Sequence, residues 1–324
     1  MLSAWAPKTI SQYNTPINRW VAYCEERGIS PLDASVQEGA EFLADLFSSS
    51  SLGYSAMGSA RSALSAILKP TEGVPFGKHP LICRLLKGMC RQRPYIPKYS
   101  VTYDVNIVLN FMDSITISGD KSLEMVTKKF ATIMCLLSGH RSQSIGVLKL
   151  EYMYLDKSKA IFYLPELLKN SSPKFHPLPL EFLAYPQNPR ICVVTLFYEY
   201  LVLTGRCSKD NCKGNLFLSY AKPFKPVQSV TIAKYVLSFL SMAGVDITTF
   251  SSHSTRGAST SSAKARGRSL SEICKAAGWK GSRSFAAHYQ KPIRKVFSQE
   301  LQNQHSDQTS SLNIFSEHSY AKHR

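Results

Sequence analysis

Apolar residues recur every three or four positions through roughly the first ninety residues, and this spacing constrains the fold more than any other feature of the sequence. In Thr9–Arg27 the apolar side chains fall on one face of a helix, and Gly28 follows as a typical helix stop. Similar spacing predicts helices at Val36–Phe47, Tyr54–Leu68 and Pro80–Cys90, the last with Leu81, Leu85 and Met89 on its core face. These helices indicate a first, all-helical domain over residues 1–93.

Pro94 and Pro97 follow this region and interrupt it, because proline cannot donate the amide hydrogen bond that a helix interior needs. We therefore expect an interdomain linker at residues 94–103 and a second domain at residues 104–302. The polar sequence after the second domain lacks apolar periodicity, which predicts a flexible tail at residues 303–324.

The second domain combines helices with a few short strands. Alternating or β-rich segments between turn residues predict a small antiparallel sheet from Tyr152–Leu155, Ala160–Leu164 and Lys174–Pro179. Helical spacing predicts helices over Asp104–Ser114, Leu123–Leu137, from Gly139 through Leu148, Val193–Leu203, Val230–Ala243, Thr255–Ala265, Leu270–Ala277 and Ser282–Tyr289. The predicted fold class is mainly α with a small antiparallel β-sheet.

The charge balance points to a polyanionic partner. The chain carries 39 Lys and Arg against 22 Asp and Glu, a formal net charge of +17, and nucleic acid is the natural candidate. A basic stripe on one helix face is by itself more typical of a solvated surface, but several further basic clusters favour nucleic acid. The predicted DNA-binding residues are Arg84, Lys87, Arg91, Arg93, Lys98, Lys264, Arg266 and Arg268.

The cysteines and the apolar runs limit other classes. Eight cysteines are scattered through apolar segments of a chain without a secretion signal, so we expect reduced thiols. Cys207 and Cys212 lack a second Cys or His pair at ligand spacing, so we expect no structural metal. No apolar run approaches the roughly 18 residues of a membrane span, which predicts a soluble intracellular protein with no membrane partner.

Four short motifs stand out in the second domain: Ser138-Gly-His-Arg141, Ser252-His-Ser-Thr-Arg-Gly-Ala258, Ala277-Gly-Trp279 and Phe285-Ala-Ala-His-Tyr289. Each is weak evidence by itself, since a lone arginine is most often a surface or ion-paired residue. Their order, with Lys169 between the first two, resembles the catalytic set of the tyrosine recombinases, the phage-integrase family. The amino-acid sequences of the last three motifs are similar to those of the recombinases of eukaryotic DIRS/Ngaro and Crypton-type mobile elements.

The resemblance implies a four-helix core-binding domain and an α+β catalytic domain that close around a duplex as a C-shaped clamp. It implies a site-specific recombinase or integrase of a mobile element, with double-stranded DNA as partner. Monomers or dimers on DNA would assemble into a homotetramer in the synaptic complex. Nuclear localisation follows from the DNA substrate and the eukaryotic-element resemblance. No cofactor, metal or ATP is expected, because the phosphotyrosyl bond conserves the energy of the phosphodiester.

The resemblance also assigns roles to single residues. Tyr289 matches the nucleophile that forms a 3′-phosphotyrosyl bond and releases a 5′-hydroxyl. Arg141 and Arg256 supply planar guanidinium groups, which neutralise the nonbridging phosphate oxygens bidentately. His253 titrates in the range needed to take the proton from the phenol.

Three positions leave alternatives open. Lys169 matches the hairpin lysine that protonates the 5′-oxygen, and Trp279 matches a His or Trp position whose N–H donates to the phosphate. A packed core tryptophan fits the bare residue equally well. Ser144 stands where many family members carry an acid, so the first arginine must be oriented differently. The alternatives to Lys169 are the other lysines that border the hairpin, Lys157, Lys159 and Lys174.

Three other functions fit the sequence less well. A two-metal transposase or nuclease needs clustered carboxylates, and the acids between Phe130 and Leu301 form no Asp-x-Asp or Asp-x-Glu cluster. A catalytically inactive, recombinase-derived DNA-binding protein stays open because of Ser144. A type IB topoisomerase-like enzyme uses a similar residue set, but the four-helix N-terminal domain favours recombination.

Overall fold

The computed structural model of the chain describes residues 5–94, 96, 98–115, 123–164, 178–206 and 214–294. The chain divides into two compact units, Met1–Pro97 and Lys98–Arg324, and the boundary between them lies inside the segment expected to be a linker. Several predictions fall outside the described residues, namely those for Lys169, Lys174, Cys207, Cys212 and the tail at 303–324. No helix among the described residues is long and apolar enough to cross a membrane.

The first unit contains four α-helices: α1 (Pro7–Arg27), α2 (Val36–Ser48), α3 (Tyr54–Ile67) and α4 (Pro80–Gln92). Helix α1 ends at Gly28, whose φ of 66° is the left-handed conformation that glycine adopts without strain. Helix α2 begins with a capping box between Ser35 and Glu38, in which each side chain satisfies a backbone amide at the helix start. The helices enclose one apolar core that includes Trp20, Leu43 and Met57.

Helix α4 turns a different face to this core than the sequence predicted. Ile82, Leu86 and Met89 are buried, whereas Leu81 is 40% exposed and Leu85 is only partly buried. Met89 was predicted to face the core and does so. Ile82 and Leu86 take the places predicted for Leu81 and Leu85, and each lies one residue, or roughly 100° of rotation, further along the helix. Packing against α2 and α3 selects the set that contains Ile82. The basic residues Arg84, Lys87 and Arg91 are exposed.

The second unit is mainly helical. Its α-helices are α5 (Val105–Ser114), α6 (Leu123–Ser138), α7 (Ser142–Gly146), α8 (Val193–Leu203), α9 (Ser229–Met242), α10 (Ser254–Ala265), α11 (Leu270–Ala276) and α12 (Arg283–His288). Helix α6 is buried along most of its length and contacts α8, α9 and α10, as expected of an apolar helix at the centre of a domain. The helix predicted from Gly139 through Leu148 is shorter in the structure, because α7 ends at Gly146.

A small antiparallel sheet packs on this helical core. It consists of β2 (Met153–Leu155), β3 (Lys159–Phe162) and β4 (Leu180–Leu183), in that order. The third strand was predicted at Lys174–Pro179, and its described part, 178–179, is not a strand. Strand β4 lies further along the chain because Leu180 and Phe182 alternate into the core while the residues between them face outward. The architecture is therefore mainly α with a small antiparallel sheet.

A second strand pair was not predicted. Strand β1 (Thr102–Tyr103) pairs in parallel with β5 (Ile293–Arg294), and the Thr102 amide donates to the Pro292 carbonyl at 2.8 Å. Tyr103 is only 4% exposed. Residues 99–103, which the sequence assigned to the linker, therefore pack inside the second unit and hold the segment that follows Tyr289.

Candidate active site

The turn after α6 brings the first motif next to α10. The helix ends at Ser138, and Gly139 reverses the chain with a φ of 61°. A Cβ atom at Gly139 would lie 3.3 Å from Thr260 Cγ2 on α10, so a side chain at this position would press on that helix. Glycine therefore serves both the turn and the close approach. His140 is buried and Arg141 is partly exposed immediately after the turn.

Arg256 is buried beneath this turn. Its side chain is on α10 and only 1% exposed, and its Nη1 donates to the Gly139 carbonyl at 2.6 Å. Its Nε and Nη2 atoms have no hydrogen-bond partner among the described residues. Burial, and then the charge of Arg141, lower the pKa of Arg256 to about 10, so the guanidinium remains cationic at neutral pH. Because Nε and Nη2 form one edge of the planar group, they present two parallel donors to an acceptor.

The ring of Tyr289 lies beside this guanidinium group. His253 Nε2 and the Tyr289 hydroxyl are 2.9 Å apart. The Tyr289 ring packs on Trp279 with ring centroids 5.0 Å apart. The guanidinium carbon of Arg256 lies 4.1 Å from the centroid of the Trp279 ring and 5.5 Å from that of the Tyr289 ring. Four residues that the sequence placed in one constellation therefore lie in contact.

Trp279 adds a third donor without a partner. The side chain is 6% exposed, and Nε1 has no hydrogen-bond partner among the described residues. A buried donor left without a hydrogen bond costs about 1–3 kcal/mol. Besides Trp279 Nε1, the site contains two more such donors, Nε and Nη2 of Arg256. An anion with several acceptor oxygens would satisfy these donors together and compensate the buried charge. The packed-core alternative for Trp279 describes its burial but leaves this N–H without a partner.

The hairpin end also lies near Trp279. Leu178, the first described residue after Lys169, lines a cavity of about 570 Å³ together with Trp279, Lys275 and Lys280. Of the alternative lysines, Lys157 is exposed in the turn between β2 and β3. Lys159 pairs with Glu181 on the neighbouring strand at 3.4 Å. The prediction for Lys169 stays a prediction.

Comparison with known proteins identifies the fold. No family model matches the chain, and no curated protein matches it. Among solved structures, the XerH site-specific recombinase bound to palindromic difH substrate in a post-cleavage complex superposes with a TM-score of 0.57, at 15% identity over 92% of this chain and 79% of that chain. This chain has the tyrosine-recombinase fold.

Two further structures share this tyrosine-recombinase fold. The Tn1549 transposon integrase in complex with transposon right-end DNA matches with a TM-score of 0.51, at 12% identity over 85% of each chain. The lambda integrase tetramer bound to a Holliday junction matches with a TM-score of 0.50, at 12% identity over 90% of this chain and 74% of that chain. The fold predicted from the order of the motifs is therefore confirmed, and at these identities the likeness concerns the fold alone.

The position of the usual acid is occupied differently in this tyrosine-recombinase fold. Ser144 is buried, and its amide donates to the Arg141 carbonyl at 2.9 Å. Within the described residues no carboxylate lies within ion-pair distance of Arg141 or Arg256. The described surroundings of the two arginines therefore leave their charge uncompensated.

His140 is a residue of the site that sequence reasoning missed. It is 5% exposed, and its ring hydrogen-bonds to the backbone of Ala276. Burial, followed by the charges of Arg256 and then Arg141, lowers the pKa of His140 to about 4. The imidazole is therefore neutral at pH 7. Its place between glycine and arginine in the first motif gave no signal of burial beside two cations.

This buried histidine predicts an acid-sensitive fold. The pKa of this imidazole is about 4 in the folded state and 6.5 for the free side chain, so below pH 6.5 the unfolded chain binds a proton that the folded chain does not. The free energy of unfolding is therefore highest above pH 6.5 and falls as the pH is lowered toward 4. We expect urea unfolding at pH 4.5 to show a loss of about 2–3 kcal/mol relative to pH 7 that His140→Gln lacks. Equal pH dependence in the two proteins would contradict the assignment.

The predicted DNA-binding residues are mostly exposed. Lys98, Lys264, Arg266 and Arg268 lie at the surface of the second unit. Arg266 donates to the Asn106 side chain at 3.1 Å, and Arg268 lies 3.6 Å from the Glu272 carboxylate. Their long side chains retain open donors for phosphate, because arginine carries five.

Arg93 differs from this group. Its Nη1 donates to the carbonyls of Ser50 and Leu52 at 2.7 and 2.9 Å, and its guanidinium lies 3.9 Å from the centroid of the Phe47 ring. These contacts connect the end of α4 to the turn after α2. Arg93 therefore acts in the described structure as an internal brace of the first unit, which its position in a basic stretch did not indicate.

Proposed function

We propose that this protein is a site-specific DNA recombinase that cleaves and rejoins strands through a 3′-phosphotyrosyl intermediate, without metal or ATP. One observation carries the proposal: the buried Nε and Nη2 atoms of Arg256 and Nε1 of Trp279 have no hydrogen-bond partner among the described residues, and both side chains pack against the ring of Tyr289. Such an arrangement suits a phosphate held in front of a nucleophile. The tyrosine-recombinase fold supports the same chemistry by analogy.

The proposed reaction is a transesterification. The scissile phosphate binds with its nonbridging oxygens on Arg256 and Arg141, which neutralise the charge that builds up in the transition state. The Tyr289 oxygen attacks phosphorus while His253, at 2.9 Å from that oxygen, accepts the phenolic proton. The P–O5′ bond breaks, and the 5′-oxygen receives a proton from Lys169. Attack of a 5′-hydroxyl on the phosphotyrosine reverses each step, so bond energy is conserved.

We further propose that each chain attacks the phosphate that it binds itself. The donors of Arg256, the His253 ring and the Tyr289 phenol come from one chain. The segment after Tyr289 begins by pairing with β1 of its own unit.

The partners and biological role are proposals as well. The XerH and Tn1549 structures contain DNA, and the lambda integrase is a tetramer on a Holliday junction. By analogy we propose double-stranded DNA as substrate, a monomer or dimer on DNA, and a homotetramer at synapsis. The amino-acid sequences of the motifs support an origin in a eukaryotic DIRS/Ngaro- or Crypton-type mobile element. The protein would then integrate or excise that element in the nucleus. In this proposal residues 1–93 form the core-binding domain, and the catalytic domain predicted at 104–302 also includes residues 99–103.

Covalent trapping tests the proposal. The protein is incubated in EDTA with nicked suicide duplexes made from pooled candidate element ends, and adducts are resolved on denaturing gels. We expect a protein–DNA adduct without divalent metal, and sequencing of the trapped DNA identifies the site. Salt-sensitive DNA binding without any adduct would instead favour the inactive DNA-binding protein that Ser144 keeps open. Cleavage only after metal is added back would overturn the proposal.

A further inference from the structure

One hydroxyl of α10 holds the main chain around the nucleophile. Ser261 Oγ donates to the Tyr289 carbonyl at 2.7 Å and accepts from the Lys291 amide at 3.2 Å. Ser261 is 5% exposed, so neither bond competes freely with water. The same helix carries Arg256. The hydroxyl thus joins the phosphate-binding helix directly to the two peptide groups that flank Gln290.

A second anchor lies just beyond this one. Lys291 Nζ donates to the Tyr99 carbonyl at 2.6 Å and lies 3.8 Å from the centroid of the Tyr99 ring. The Tyr99 hydroxyl accepts from Ser254 Oγ at 3.0 Å, at the start of α10. The segment from Tyr289 to Lys291 is therefore held on both sides by groups that connect back to the same helix.

The nucleophile needs such anchors because its own helix is short. Helix α12 has six residues, and Tyr289 is the cap residue after its last turn, with φ of −121° and ψ of −19°. Helix ends fray, and six residues give few intrahelical hydrogen bonds to resist this. Besides the ring contacts and the His253 hydrogen bond, the Ser261 bridge fixes where the Tyr289 backbone lies relative to Arg256.

We propose that Ser261 is a positioning residue for the nucleophile. It keeps the Tyr289 oxygen in line with a phosphate bound on Arg256, and it touches neither the phosphate nor the phenol. The inference rests on the proposed function, in which Tyr289 attacks that phosphate. A misplacement of about 1 Å at a reacting group costs up to about 100-fold in rate, so a bridge that sets backbone position has a measurable effect.

The chain offers a matched control on the same helix. Ser259 Oγ donates to the Leu136 carbonyl on α6, so Ser259→Ala also removes a hydroxyl bond from α10 without touching the nucleophile segment. Ser261→Thr retains the hydroxyl, whereas Ser261→Ala removes it. Single-turnover adduct formation is measured at saturating DNA, together with the DNA dissociation constant.

We expect Ser261→Ala to form the adduct about 10- to 100-fold more slowly with an unchanged dissociation constant. Ser261→Thr should recover most of the rate, and Ser259→Ala should match the parent. A rate for Ser261→Ala equal to that of the parent, or an equal loss in Ser259→Ala, would overturn the proposal while leaving the recombinase chemistry intact.

A measurement without DNA separates this inference from the proposed function. Fluorine NMR of proteins with 3-fluorotyrosine in place of Tyr289 reports the environment of that ring directly. We expect one narrow resonance in the parent, Ser261→Thr and Ser259→Ala backgrounds, and a broadened or second resonance with Ser261→Ala. Identical spectra in all four backgrounds would refute a positioning role, whether or not any adduct forms.

Discussion

Replacing Tyr289 by phenylalanine should abolish the covalent DNA adduct while leaving the DNA dissociation constant within about twofold of the parent value. The substitution removes one oxygen, and with it the only atom of this side chain able to form a phosphotyrosyl bond. The ring contacts with Trp279 and Arg256 remain, so the loss of the His253 hydrogen bond should cost about 1 kcal/mol of stability. Denaturing gels measure the adduct, and mobility shifts measure binding.

Tyr154→Phe is the matched control for this variant. The Tyr154 hydroxyl donates to the Asp156 carboxylate at 2.8 Å in the small sheet. Tyr154→Phe therefore removes a tyrosine hydroxyl and its side-chain hydrogen bond, as Tyr289→Phe does, but in the small sheet. We expect the control to form the adduct at the parent rate. An adduct in Tyr289→Phe would show that another residue attacks the phosphate and would remove the basis of the proposed reaction.

Arg256→Met should separate activity from stability. The adduct rate should fall by about 10²–10³-fold or more, because the variant loses the two donors that stabilise charge on the phosphate. Yet the free energy of unfolding should change by less than about 2 kcal/mol, because removal of an uncompensated buried charge offsets the lost hydrogen bond to the Gly139 carbonyl. The buried guanidinium lies near Arg141 without a carboxylate among the described residues, and methionine packs well against the Trp279 ring.

Arg256→Lys is the informative companion. Lysine keeps the charge but cannot offer two parallel donors, so the adduct rate should stay well below that of the parent. Urea unfolding and single-turnover adduct formation are measured on the parent protein, Arg256→Met and Arg256→Lys. Full activity in Arg256→Lys would contradict the bidentate role. A loss of stability of more than about 3 kcal/mol in Arg256→Met would show that the arginine is structural.

Much of the helical framework could be predicted from the sequence, because long amphipathic segments with clear stops leave few alternatives. Helix α1 with Gly28, and helix α8, lie where apolar spacing placed them. Short elements gave no such signal, because strands β1 and β5 have two residues each and are too short to show an alternation of apolar and polar residues. The core face of α4 depended on neighbouring helices, since Ile82 and Leu81 differ by a single position.

The site shows the same division. The order of Arg141, His253, Arg256, Trp279 and Tyr289 identified a constellation, and the last four lie in direct contact in the structure. What the order did not indicate depends on tertiary proximity. A buried serine that bridges two peptide groups, a neutral histidine beside two arginines, and an arginine that braces its own unit have no sequence signature. They are Ser261, His140 and Arg93.

The most direct test of the central claim is the chemical identity of the bond between protein and DNA. The trapped complex formed in EDTA is digested with nuclease and trypsin and analysed by mass spectrometry. Trypsin does not cleave before proline, so Tyr289 should appear in the peptide from Ser284 to Arg294. We predict that Tyr289 in this peptide carries a nucleotide through a 3′-phosphate. A nucleotide on any other side chain, or one joined through its 5′-phosphate, would contradict the account.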